Sequence, residues 1–186
     1  MNILRFVNIG GKMGTVNSTP ITGTNAPQAS VIKPQSKIDK FNKWFFEPLS
    51  KCDAHGSFII LLVCLPLYEK YLRNKDFIGE SENFTEGHKV FRSIGKDIVV
   101  PEKVAFSFWQ IFRNGLCHRG MPKQIDLIRY ELVRNSDFIA NYDDKQKVLK
   151  VNAFKFRDLV LNLIRADINI FKDTDYPFAE EYAVDN

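Results

Sequence analysis

The segment Phe112-Arg-Asn-Gly-Leu-Cys-His-Arg-Gly120 gathers the polar side chains that are best suited to chemistry. An arginine fork neutralises a phosphate or a developing oxyanion, and a histidine exchanges the proton of a ribose hydroxyl near neutral pH. Arg113 and His118 supply these two groups, while Asn114 can orient the imidazole or bind a phosphate oxygen. Together these residue types suit cleavage of a phosphodiester by its own 2′-hydroxyl, a reaction that needs no metal.

A helix must position these side chains, and the apolar residues before them predict one. Val104, Phe108, Ile111, Phe112 and Leu116 recur at three- and four-residue spacing. This pattern predicts a helix from about Pro101 to His118, which a Gly–Pro break then ends. At about 100° per residue, Asn114 and His118 share a face, and Arg113 lies about 140° from His118. Because arginine is long, we expect Arg113 and His118 to border one cleft.

The string Arg113-Asn114-x-x-x-His118 resembles the signature of the HEPN superfamily. There an arginine, usually followed by a polar residue, precedes a histidine after a short gap. The resemblance implies a homodimer with both motifs facing one interfacial cleft. It also implies metal-independent RNA cleavage that leaves a 2′,3′-cyclic phosphate, as in toxins, phage-defence proteins and CRISPR-associated effectors. Carried over, Arg113 and His118 are the catalytic pair and Asn114 is the polar residue beside the arginine.

The same residues allow other interpretations. Cations at a helix C-terminus also complement the helix dipole and bind free carbonyls, and Asn114 alone can be structural. Some HEPN domains keep the motif and serve as nucleotide-, RNA- or partner-binding dimerisation modules without cleavage. In one HEPN subset a tyrosine two positions after the histidine is modified by the paired antitoxin. Gly120 occupies that position here, so this form of regulation is not expected.

The remaining candidates outside the motif are few. Arg119 and Lys123 suit contacts to an RNA backbone, or else belong to solvated surface. We expect Cys117 to be a small packed side chain, and His55 and His88 to lack a catalytic role. The sequence has no carboxylate cluster, Ser–His–Asp pattern, glycine-rich phosphate loop or metal-ligand spacing. No cofactor and no metal are therefore expected.

The chain divides by composition into three parts. Residues 1–37 are rich in Gly, Thr, Ser, Asn and Pro and predict a flexible leader, while 173–186 form an acidic tail. Between them, the pattern of 38–172 predicts a mainly α fold with a small β-hairpin-like insertion before the last helix. The resemblance implies that this is a HEPN-like four- to five-helix bundle. Four helices are predicted besides the motif helix. The first starts near Ile38, and the others run from about Ala54 to Leu72, from Thr85 to Ile98 and from Ala153 to Phe171.

Composition and charge favour a soluble cytoplasmic protein. The net charge of +4 over 186 residues is too small to imply nucleic-acid binding by itself. The number of cysteines is odd, and the three lie far apart, at Cys52, Cys64 and Cys117. This argues against a disulfide framework or a zinc site. The most apolar run, Phe58–Leu67, is about half the roughly 20 residues that a bilayer crossing needs. We therefore expect a buried core helix and no membrane partner.

Overall fold

The computed structural model describes residues 36–53, 55–125 and 127–172, together with Asp175 and Phe178. The predicted leader, up to residue 35, and most of the acidic tail lie outside the described residues. Within the tail, Phe178 is buried and its ring centroid lies 5.2 Å from that of Phe171. The core therefore extends beyond Lys172.

Helices form most of the described chain. They are α1 (Lys37–Phe41), α2 (Glu47–Ser50), α3 (Ser57–Lys75), α4 (Val90–Ile98), α5 (Glu102–Phe108), α6 (Gly115–Arg119) and α7 (Ala153–Ala166). A π-helical turn, Asn42–Phe46, joins α1 to α2, and a second one, Trp109–Asn114, joins α5 to α6. A 3₁₀ turn, Ile168–Ile170, follows α7. The predicted motif helix is thus present as α5, a π-helical turn and α6 in continuous succession.

The helix predicted from Thr85 begins later, at Val90. Gly87 has a φ of +81°, a left-handed conformation that glycine adopts without steric cost and that interrupts helical backbone. The backbone N–H of Val90 donates to Nδ1 of His88 at 3.1 Å, so this histidine satisfies one of the free donors at the start of α4. The predicted start of this helix near Thr85 is therefore wrong.

The apolar run sits in α3, as predicted, and this helix continues unbroken through Pro66. One side of α3 is fully buried and packs against α7. The residues buried on α3 are Ile60, Leu61, Cys64, Leu65, Tyr68, Glu69, Tyr71 and Leu72. Among the described residues, no helix combines the length and the apolar character that a membrane crossing requires.

A chain of aromatic contacts connects α5 to the π-helical turn, to α7 and to α3. The ring of Phe108 lies 5.4 Å from Phe156 of α7 and 5.5 Å from Phe112 in the π-helical turn. Phe156 also meets Tyr68 of α3 edge-on at 5.6 Å. Truncating such a buried aromatic costs about 3–5 kcal/mol of stability. The π-helical turn that carries the motif is therefore held by aromatic contacts within the core.

Three short strands follow the motif helix and form a mixed sheet. They are β1 (Arg129–Leu132), β2 (Ala140–Asp143) and β3 (Val148–Val151). The spatial order is β1-β3-β2, with β3 parallel to β1 and antiparallel to β2. Phe112 packs on Tyr130 of β1 at 5.4 Å, so the sheet contacts the motif helix at the π-helical turn.

The expected mainly α fold, a HEPN-like helical bundle with a hairpin-like insertion, is wrong. The described chain has a mixed α/β fold, with a three-stranded sheet in place of the hairpin. The last strand lies between the two earlier ones and pairs with both. Asn141, Tyr142 and Asp143 belong to β2, and a turn follows at Asp144–Lys147. There, Oδ1 of Asp143 accepts the N–H groups of Lys145 and Gln146 at 3.0 Å each, which closes the turn.

Candidate functional site

The site begins in the π-helical turn Trp109–Asn114, whose last two residues are Arg113 and Asn114. Such turns are rare inside helices and occur frequently at functional sites. The carbonyl of Ile111 accepts the backbone N–H of Lys123 at 2.8 Å, although Lys123 lies beyond the end of α6. The chain after the helix is thereby tied back onto the turn that carries the motif.

Gly115 makes this close approach possible. A Cβ at this position would lie 2.3 Å from the backbone nitrogen of Lys123 and 2.8 Å from the carbonyl oxygen of Met121. No side chain can occupy that space, so the glycine is required by packing. Gly120 has a φ of +70° and turns the chain back toward the helix. Lys123 is thus brought beside the motif by two glycines, one before and one after His118.

Arg113 is fixed at three points. Its Nε donates to Oε2 of Glu69 at 2.6 Å, and its Nη1 donates to Oδ1 of Asn114 at 3.2 Å. Nη1 also lies 2.8 Å from Nε2 of His118. The long arginine therefore spans the angular offset that helical geometry gives these positions, and the three predicted residues meet in one place. Within the described residues, Nη2 of Arg113 has no hydrogen-bond partner.

The contact with Arg113 assigns the tautomer of His118. A guanidinium has only donors, so Nε2 of His118 must present a lone pair to Nη1. In the neutral ring the proton therefore sits on Nδ1, which has no partner among the described residues. His118 is exposed. A general base requires a neutral imidazole with a free nitrogen lone pair, so His118 can act as one only after Arg113 releases Nε2.

Glu69 is the buried centre of the site. Its side chain is 10% exposed, and its two oxygens hold two different arginines. Oε1 accepts from Nε and Nη2 of Arg73 at 3.0 and 2.7 Å, while Oε2 accepts from Nε of Arg113. A buried carboxylate is costly unless it is paired and hydrogen-bonded, and here both oxygens are satisfied by charge-assisted bonds.

These groups line an open cleft of about 400 Å³. Its lining residues are Glu69, Arg73, Asn83, Phe84, Trp109, Arg113, Asn114, His118, Arg119 and Lys123. Four cations face one carboxylate, so the cleft carries a positive charge that suits an anionic ligand. Arg119 and Lys123, expected as RNA-backbone contacts, both line this cleft. Their side chains form no hydrogen bond or ion pair with the part of the chain that the structure describes.

Comparison of the chain with protein-family models, with curated proteins and with solved structures gives no match. Nothing in those comparisons bears on the resemblance of Arg113, Asn114 and His118 to the HEPN signature.

The other sequence candidates lie away from the reacting groups or serve packing. Cys117 is exposed, so the expectation of a packed side chain is wrong. Partial burial of its sulfur raises the pKa of the thiol, and the opposing effect of Arg113 is smaller. The thiol therefore stays protonated and is poorly nucleophilic. His88 is held by Glu82 and Val90, and His55 lies at the exposed turn before α3. Among the described residues, no group of His, Cys, Asp or Glu is arranged to hold a metal ion.

Sequence reasoning missed Glu69, Arg73 and Gly115. A signal was present for the first two, since a glutamate and an arginine four residues apart continue an apolar helix whose same face points inward. An ionisable residue in such a position needs a charged partner, and the motif arginine was available. For Gly115 the signal was its place between Arg113 and His118, where a helix former would otherwise be expected.

Proposed function

We propose that this protein is a metal-independent endoribonuclease of the HEPN type, acting through Arg113 and His118. The observation that carries the proposal is the 2.8 Å contact between Nη1 of Arg113 and Nε2 of His118 in a positively charged cleft. Glu69 holds Nε of the arginine, and Nη2 has no hydrogen-bond partner among the described residues, so Nη2 can bind a ligand. A phosphate binder and a proton acceptor thus lie side by side.

In the proposed reaction the 2′-hydroxyl of the RNA gives its proton to Nε2 of His118. The 2′-oxygen then forms a bond to phosphorus, and the bond from phosphorus to the 5′-oxygen breaks. The leaving 5′-oxygen takes a proton from solvent, and the upstream product keeps a 2′,3′-cyclic phosphate. Arg113 stabilises the charge that develops on the phosphoryl oxygens. Asn114 acts as a positioning residue, because its Oδ1 holds Nη1 of Arg113.

Substrate binding also frees the base. In the ligand-free arrangement Nη1 of Arg113 occupies the lone pair of His118. A phosphate is a stronger acceptor than a neutral imidazole, so it draws the guanidinium toward itself. The nitrogen of His118 then becomes available to the 2′-hydroxyl. Binding and activation are coupled through one arginine.

The deciding experiment is cleavage of labelled single-stranded RNA in EDTA by the parent and by His118→Ala. Loss of a general base is expected to slow the reaction about 10²–10⁴-fold. His55→Ala is the matched control, since it removes an exposed histidine outside the cleft and should cleave as the parent does. Cleavage by His118→Ala at the parent's rate would refute the mechanism.

A second candidate is a non-catalytic module that binds RNA, a nucleotide or a partner protein. The hydrogen bond from Arg113 favours it, because this bond already occupies the lone pair that a base must offer. This candidate predicts that the parent binds single-stranded RNA without cleaving it, and that His118→Ala binds equally well. The same RNA, followed by anisotropy and by gel, separates the two functions.

We also propose that the protein is a homodimer whose interface includes the cleft side of α3. Phe58, Ile59 and Leu62 are 40%, 59% and 45% exposed, an unusual row of apolar side chains on one helix. Leu62 precedes Glu69 by seven residues, or two helical turns, so the apolar row and the cleft share a face of α3. A second copy covering this row brings the two motifs to the same side.

The dimer is tested by light scattering with Leu62→Asp. We expect this variant to be monomeric and to lose activity if both copies are needed. Leu127→Asp is the control, because Leu127 is 84% exposed and lies outside α3. A dimeric Leu62→Asp, or a monomeric parent, would contradict the proposed interface.

The cellular setting forms part of the proposal. The cysteines at 52, 64 and 117 are all free, which fits a reducing cytoplasm. A toxin or phage-defence role, with an antitoxin or other regulator, follows from the HEPN resemblance. Toxicity of the expressed parent, relieved in His118→Ala, is the measurement that supports such a role.

A further inference from the structure

The cleft has two aromatic walls, and neither offers a free ring face. The guanidinium carbon of Arg73 lies 4.4 Å from the centroid of Phe84, and the ring of His88 stacks on Phe84 at 5.0 Å with 26° between the planes. Trp109 is 2% exposed and packs against Phe84 at 5.5 Å. Proteins that recognise single-stranded RNA by its bases stack them on open aromatic faces. These two rings are already covered.

The groups that remain open in the cleft are mainly cationic donors. They are Nη2 of Arg113 and the side chains of Arg119 and Lys123, none of which has a hydrogen-bond or ion-pair partner among the described residues. Such donors match phosphate oxygens, which are common to every nucleotide. The exposed Asn83 is the lining amide best placed to contact a base edge.

The dimensions of the cleft agree with this distribution of groups. Its volume of about 400 Å³ is at the small end of the range for ligand pockets. Lys123 is held against the π-helical turn by its backbone bond to Ile111, and Arg119 ends α6 directly after His118. Both cations therefore flank the reacting pair, where the phosphates next to the scissile one would lie.

We propose that the cleft recognises RNA through its phosphates, with Arg113 on the scissile phosphate and Arg119 and Lys123 on its neighbours. The substrate class is single-stranded RNA without base preference. This inference rests on the proposed function of the site. Three phosphate contacts predict a slope of about −2 when log K is plotted against log salt, at about −0.7 for each contact to a single strand.

The test uses the full-length His118→Ala variant, which retains the cleft cations, and fluorescent oligo(A), oligo(C) and oligo(U). We expect the three affinities to agree within about threefold, because no specific base contact discriminates among them. Adding Arg119→Ala or Lys123→Ala should each reduce the salt slope by about 0.7. Arg129→Ala and Lys145→Ala are the matched controls, since both residues are exposed and outside the cleft lining.

Two results would overturn the inference. One is a preference of more than about tenfold for one homopolymer, in particular one that Asn83→Ala abolishes. The other is a salt slope that Arg119→Ala and Lys123→Ala leave unchanged. Failure of the proposed function has a different signature, which is the absence of RNA cleavage by the parent in EDTA. If the parent cleaves RNA with a strict base preference, recognition through phosphates is refuted while the proposed nuclease function stands.

Discussion

Two arginines share the carboxylate of Glu69, and the protein uses them differently. Arg73 donates to Oε1 of Glu69 with two nitrogens, to the carbonyl of Gly79 at 2.6 Å and to the carbonyl of Glu82 at 3.0 Å. Arg113 donates to Glu69 through Nε alone and keeps Nη2 without a partner among the described residues. One guanidinium ties a loop to α3, and the other is left open toward the cleft.

The two histidines beside these arginines repeat the contrast. His88 uses both ring nitrogens, with Nε2 at 2.8 Å from Glu82 and Nδ1 accepting from Val90, and its side chain is 11% exposed. His118 is exposed and engages only Nε2, with Arg113. Residue type therefore does not identify the proposed catalytic pair. What identifies it is hydrogen-bonding capacity left unused beside a buried anchor.

Glu69→Gln should have the largest effect, because it removes the anchor that both arginines share. Leaving two largely desolvated guanidiniums without their carboxylate is expected to lower the free energy of unfolding by about 3–5 kcal/mol. RNA cleavage should fall as well, since Arg113 loses its fixed orientation. Urea unfolding measures the stability, with the exposed Glu86→Gln as the control. Equal stability of Glu69→Gln and the parent would contradict the shared-anchor arrangement.

Removing Arg113 and Arg73 one at a time should separate the role of one in cleavage from the role of the other in stability. Arg113→Ala is expected to slow cleavage about 10²–10³-fold, as loss of a transition-state donor does. Arg73→Ala should instead lower the free energy of unfolding by about 2–3 kcal/mol, because bonds to charged groups are lost in a part-buried site. Single-turnover rates and urea curves on both variants test this. If Arg73→Ala lost cleavage while remaining fully stable, the two arginines would not differ as described.

Gly115→Ala should act on the cleft through its backbone. The new methyl group would overlap the nitrogen of Lys123, which forces the segment after α6 to move and costs about 1–3 kcal/mol. Affinity for RNA should fall with the displaced lysine. Gly79→Ala is the control, because a Cβ there meets nothing within 4 Å. Thermal unfolding and RNA titration of the two variants give the comparison.

The smallest expected effect is on the stability of the fold at acid pH, through the hydrogen bond between His88 and Glu82. The hydrogen bond from His88 holds the pKa of Glu82 below its ordinary value of 4.5. A carboxyl with a lowered pKa stabilises the fold above its unfolded-state pKa, and this contribution disappears as pH falls through the folded-state value. The stability difference between the parent and Glu82→Gln should therefore shrink below about pH 4.5. A difference that stays constant down to pH 3 would contradict this.

The sequence predicted the helices and the meeting of Arg113, Asn114 and His118, because three- and four-residue periodicity carries that information. It could not place Glu69, which precedes Arg113 by 44 positions and reaches it only through the packing of α3 beside the π-helical turn. The turn itself has no sequence signature comparable to a cap. Long-range contacts between charged groups thus remained outside what spacing can predict.

The strands were the weakest part of the prediction for a similar reason. Each is four residues long, and only the antiparallel pair β2–β3 is local in sequence. The parallel pairing of β1 with β3 spans the whole of β2, so no turn motif announces it. Helix α4 was predicted too long because periodicity alone does not register Gly87 or the capping by His88.

The order of the strands also governs when the cleft can be completed during synthesis. The central strand β3 is the last of the three strands to leave the ribosome. Strand β1 therefore remains without its partner strand for about one to four seconds at common elongation rates. Lys123 belongs to the short segment between α6 and β1, and that segment is anchored at both ends only after β3 has arrived. A chain truncated before Val148 would therefore carry Arg113 and His118 but leave the wall that bears Lys123 unsecured.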